Sequence, residues 1–100
     1  MSKVKFKIEV KEHAVKQIKD IYFYYEGCAE GLGEKFLDAW ETAVKYAESN
    51  PNGFQEKYKS FRQAPIKNFP YVIMFEIDKT SVIVYSILHT SRDIKVRYKK

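Results

Sequence analysis

Cysteine is nearly missing from this chain: Cys28 is the only one. An internal disulfide is therefore excluded, and so is a metal site built on cysteine pairs. Cys28 itself is expected to be a small filler near a helix end. Long apolar runs are missing too. None approaches the roughly 20 residues that a bilayer-crossing helix needs, so no membrane association is expected. The first residues, Met1-Ser2-Lys3-Val4-Lys5-Phe6-Lys7, alternate charge with apolar side chains and do not form a signal peptide. Together these absences point to a cytoplasmic protein. Acidic residues are in deficit, with 13 Asp and Glu against 18 Lys and Arg, a net charge of +5. Such a surplus favours an anionic partner (nucleic acid, a ribosome or an acidic protein segment) without choosing among them.

What is present suffices for a core. The chain has 100 residues, of which 45% are hydrophobic and 16% aromatic, as expected of one domain spanning 1–100. Val4, Phe6, Ile8 and Val10 alternate with Lys3, Lys5, Lys7 and Glu9, the period of a strand with one buried face. From Glu12 the period lengthens. Ala14, Ile18, Ile21, Tyr22 and Tyr25 fall at helical spacing, with Gly27 as the expected stop. Leu32, Phe36, Leu37, Trp40, Ala43, Val44 and Ala47 form a second stripe, closed by Asn50-Pro51-Asn52-Gly53. A less regular segment runs from Tyr58 to Lys67, where Pro65 predicts an edge or an interruption. Tyr71 to Ile77 and Val82 to Leu88 are almost continuously apolar, joined by a reversal at Asp78-Lys79-Thr80-Ser81. The expected fold is α+β in the order β-α-α-β-β-β, a helical hairpin packed on a mainly antiparallel four-stranded sheet. Lys95 to Lys100, mostly basic, would form a short added strand or a tail.

Several local signatures share an ordered spacing. Tyr24-Tyr25-Glu26 precedes Gly31-Leu32-Gly33 and Phe36-Leu37. Asn50-Pro51 follows the second helix, and Arg62 lies on the next segment. Phe69-Pro70-Tyr71 opens a strand, and His89-x-x-Arg92-Asp93 closes the last one. Over roughly residues 4 to 98 this pattern resembles the RelE/ParE toxins of type II toxin–antitoxin pairs, with ParE-like signatures. The resemblance implies a growth inhibitor neutralised by a cognate antitoxin, with no cofactor. It also implies one of two activities. RelE-like members cleave messenger RNA in the ribosomal A site without a metal, whereas ParE-like members poison DNA gyrase. Fold does not separate them.

Metal-free RNA cleavage needs a group to take the 2′-hydroxyl proton, another to protonate the leaving oxygen, and cations around the phosphorane. The resemblance gives Arg62, His89, Arg92 and Tyr98 as the candidate site. A RelE-like terminus also places a tyrosine six residues after its arginine; Arg92 would contact the phosphate and Tyr98 would stack on a base. His89 is the candidate acid or base near neutral pH. Lys57, Lys59 and Lys67 would add a cationic floor, or simply a solvated strand face. One departure stands out. RelE-like enzymes carry an arginine after the tyrosine that opens the third strand, and here Tyr71 is followed by Val72. A gyrase poison needs no acid or base, only a binding surface, which Arg92, the basic terminus and the tyrosines of the first helix would supply. The favoured expectation is thus gyrase poisoning. A ribosome-dependent endoribonuclease is the alternative, and an inactive homologue that binds only its antitoxin is the second alternative.

Overall fold

The computed structural model describes residues 6–91. Strand β1 (Lys7–Val10) leads into helix α1 (Glu12–Cys28), which reverses into α2 (Leu32–Ser49). A single 3-10 turn at Pro51–Gly53 follows, then β2 (Glu56–Tyr58), β3 (Phe61–Ile66), β4 (Tyr71–Asp78) and β5 (Ser81–His89). The strands form one sheet in the order β1-β5-β4-β3-β2. Every pairing is antiparallel except β1 with β5. The α+β architecture expected from the periodicities is present, with one strand more. The additional strand is β2, which lies almost wholly ahead of the expected Tyr58 to Lys67 segment and pairs with it because the chain turns back at Lys59, whose φ is 54°. Nothing around Lys59-Ser60 resembles a glycine or asparagine turn, so a two-strand element looks from sequence like one irregular strand.

Both helices cover one side of the sheet. Phe36, Ala43 and Ala47 of α2 and Ala14 and Ile18 of α1 close over Ala64, Ile66, Tyr71, Ile73, Phe75, Val82, Val84 and Ile87. The opposite side carries a smaller cluster of Val72, Met74 and Leu88, flanked by Phe61 and Tyr85. Strand β5 changes parity between these groups. Met74 pairs with Ser86 but Phe75 pairs with Val84, so Tyr85 is an extra residue in the ladder. The bulge lets Val84 and Ile87, three positions apart, both face the helices.

The bulge and the short β1 create a polar debt on β5. Strand β1 pairs with β5 only from Ser81 to Val84, which leaves the β1 side of Ile87 without a strand. Gln17 of α1 fills the gap. Its Nε2 donates to the Ile87 carbonyl at 3.1 Å, and its Oε1 accepts the Ile87 N–H at 2.8 Å. One side-chain amide thus acts as a strand residue and fixes α1 on the sheet.

The helix junction has its own device. Gly27 does not stop α1, which runs on to Cys28; the reversal falls at Gly31, whose φ of +86° only glycine adopts freely. From α1, Glu26 reaches across and accepts the N–H groups of Gly31 and Gly33, both at 2.9 Å. These are the orphan donors at the start of α2, satisfied by a carboxylate at the positive end of the helix. Gly33 lets the helices approach, since a Cβ there would lie 2.7 Å from the Tyr22 ring. Cys28, expected as a filler, is exposed.

Pro65 falls where an edge was expected. Strand β2 pairs β3 only at Phe61 and Arg62, so the outer edge of β3 at Pro65 has no neighbouring strand.

Candidate functional site

Phe69-Pro70-Tyr71 joins the core to the surface. Phe69 packs edge-on against Tyr25 and Phe36, with ring centroids 5.0 and 5.3 Å apart. The Pro70 carbonyl accepts the Thr90 N–H at 2.9 Å, which ties the start of β4 to the end of β5. Tyr71 then pairs directly with His89, and their rings meet at 86° with centroids 5.2 Å apart. At this end of the sheet an open cleft of about 540 Å³ lies against α1, lined by Asp20, Ile21, Tyr24, Tyr25, Pro70, Tyr71 and His89.

The imidazole of His89 has a defined orientation. Its Nδ1 accepts the Ser91 N–H at 3.2 Å, so in the neutral ring the proton resides on Nε2. Burial pushes the Tyr25 phenol above its ordinary value, and the neighbouring Tyr71, to which it is hydrogen-bonded, adds to the rise. Tyr25 is therefore protonated at neutral pH and can act as a donor or as ring surface. Tyr24 is 64% exposed beside it.

Arg62 lies elsewhere. It pairs with Phe75, whereas Tyr71 is the partner of His89. Those positions are four steps apart on β4, roughly 13 Å along the strand at ~3.3 Å per residue, and Arg62 and His89 flank β4 on opposite sides. The guanidinium of Arg62 is engaged internally. Nη1 donates to the Phe54 carbonyl, Nη2 meets Glu56 at 3.5 Å, and the buried Nε has no partner among the described residues. Arg62 anchors the loop after α2 to β3 and does not join His89 in one site. Arg92 and Tyr98 lie outside the described residues. Lys57, Lys59 and Lys67 are exposed. Val72 is buried and belongs to the cluster on the far side of the sheet, away from the cleft.

One feature of the cleft carried no sequence signal. Asp20 is one charged position among several on a helix surface, and no spacing marks it. Tyr24, part of the signature before the helix junction, lies beside it in the cleft. Elsewhere, an apolar groove of about 510 Å³ separates α2 from β3, lined by Ala39, Ala43, Tyr46, Phe54, Ala64, Pro65, Lys67 and Thr42. No helix among the described residues is long and apolar enough to cross a membrane.

A two-helix hairpin over one side of a small, mostly antiparallel sheet is the fold expected of the RelE/ParE toxin class. Within that class the chain belongs to the ParE toxin family: the family model described as the ParE toxin of the type II toxin–antitoxin system parDE matches residues 8–94. A chain of the chromosomal ParDE toxin–antitoxin system from P. aeruginosa has a similar structure, with a TM-score of 0.72 at 14% identity, over 85% of this chain and 96% of that one. No curated protein matches the sequence.

Proposed function

We propose that this protein is the toxin of a type II pair that acts in the cytoplasm by poisoning DNA gyrase and is neutralised by a cognate antitoxin. The observation that carries the choice of target is the separation of Arg62 from His89. A nuclease must gather proton-transfer groups and cations around one phosphate. Here Arg62 is turned inward onto the Phe54 carbonyl, and Val72 replaces a cation with an alkyl group on the other side of the sheet. Gyrase poisoning asks only for a surface that traps a partner in one state. Phe23 and Tyr24, 68% and 64% exposed on α1, supply anchors of the type that dominate protein interfaces. Under this reading Arg92 and Tyr98, which follow His89 in the chain, act as target contacts rather than as catalysts. The groove between α2 and β3, apolar and bordered by Lys67, suits an apolar antitoxin segment with acidic flanks.

The test pairs two assays of one preparation. Purified protein is added to gyrase with supercoiled DNA, and separately to a translating ribosome system whose messenger ends are mapped. Accumulation of gyrase–DNA cleavage complexes with intact messenger is expected. Codon-periodic cuts that vanish on Arg92→Ala, without cleavage complexes, would assign the nuclease instead.

A further inference from the structure

We infer that the cleft at the Tyr71–His89 end of the sheet is a receptor for a single guanidinium group, an arginine side chain offered by a partner protein. The inference extends the protein-binding reading above and rests on it. Among the described residues, Asp20 is the only carboxylate lining the cleft, and none of those lining it is a lysine or an arginine. Against these residues a phosphate or other anion meets a negative wall without a countercharge. Asp20 is exposed, with no hydrogen bond or ion pair among the described residues. Its carboxylate is thus open to the two-pronged bonding that guanidinium favours.

The other walls are aromatic and meet at angles. Tyr24 and Tyr25 lie 5.2 Å apart at 68°, and Tyr71 and His89 lie 5.2 Å apart at 86°. Rings set at a corner present their electron-rich faces from more than one direction, the arrangement that attracts a weakly hydrated cation. Burial holds the Tyr25 phenol above its ordinary value, so that wall brings no second negative charge at neutral pH. Guanidinium suits the site better than ammonium because it is flat enough to stack on one ring while its edge reaches Asp20. Neither Asp20 nor Tyr24 is buried, so each can be replaced without disturbing the core.

The test is an NMR titration of the whole chain, following the ring signals of His89 and Tyr71, with three probes: N-acetyl-arginine amide, its neutral isostere N-acetyl-citrulline amide, and adenosine monophosphate. The arginine probe is expected to shift both rings in a saturable way at about 1–10 mM, at least tenfold more tightly than citrulline. Asp20→Asn should weaken it by on the order of tenfold, and Tyr24→Ala by several-fold. Equal binding of citrulline, tighter binding of the nucleotide, or no response to any probe would each overturn the inference. Tighter nucleotide binding would make the cleft a base-stacking pocket. Because no gyrase is present, this result is independent of which cellular target the toxin has.

Discussion

The two ends of strand β4 carry similar chemistry and put it to different use. At the Phe75 end, Arg62 spends its guanidinium on the Phe54 carbonyl and on Glu56, and little of it reaches solvent. At the Tyr71 end, Asp20 and Tyr24 project into an open cleft and make no such bonds among the described residues. A polar group satisfied by its own chain holds the fold, whereas one left facing a concavity is available to another molecule. The comparison separates scaffold from surface among residues that look equally functional in the sequence. Both ends share the helix-covered side of the sheet, so only the local hydrogen bonding distinguishes them.

The comparison can be sharpened by substitution. Phe36, fully buried among Tyr25, Phe69 and Tyr71, should show the largest effect. Phe36→Ala is expected to cost about 3–5 kcal/mol, read as a shifted urea midpoint. Arg62→Ala should cost about 1.5–3 kcal/mol, as expected for a hydrogen bond to a charged donor, and Arg62→Lys should recover little because the fork is lost. Gln17→Ala removes both partners of the Ile87 backbone and should cost about 1–3 kcal/mol. Hydrogen exchange at the Ile87 amide should rise well above that of its neighbours. At the cleft, Asp20→Asn and Tyr24→Ala should each leave stability within about 0.5 kcal/mol of the parent while changing what the cleft binds.

A smaller effect follows from the phenols. Burial raises the pKa of both Tyr25 and Tyr85 above the ordinary 10.0, helped at Tyr85 by a hydrogen bond to Glu76. The folded state therefore holds these protons where the unfolded state releases them. The stability they contribute is complete below about pH 10 and is lost as pH rises through the folded-state values. Melting temperature should fall more steeply above pH 10 in the parent than in Tyr25→Phe.

The helices and the central strands were legible because apolar spacing reports burial directly. Leu32 to Ala47 and Tyr71 to Ile77 occupy the elements their periods indicate. The family signatures turn out to have structural causes. Glu26, Gly31 and Gly33 make the helix junction, and Phe69-Pro70-Tyr71 locks β4 to the helices and to β5. The hairpin at Lys59 was hidden because a lysine there gives no turn signal, and Gly27 misled because a glycine in an exposed helix is tolerated. Gln17 and Asp20 were hidden for a different reason. A single polar residue on a helix leaves no period, and its role depends on a strand about 70 positions away. The distance between Arg62 and His89 was hidden as well, since order along the chain does not reveal which way a strand carries a side chain.

The most direct test compares growth arrest by Tyr24→Ala and Arg62→Gln, each normalised to the amount of folded protein in the cell. Tyr24→Ala should keep the parent melting temperature and lose potency, and Arg62→Gln should melt lower yet arrest growth as well as the parent per folded molecule. Full potency in Tyr24→Ala, together with a folded but inactive Arg62→Gln, would contradict the assignment of scaffold and surface to the two ends of β4.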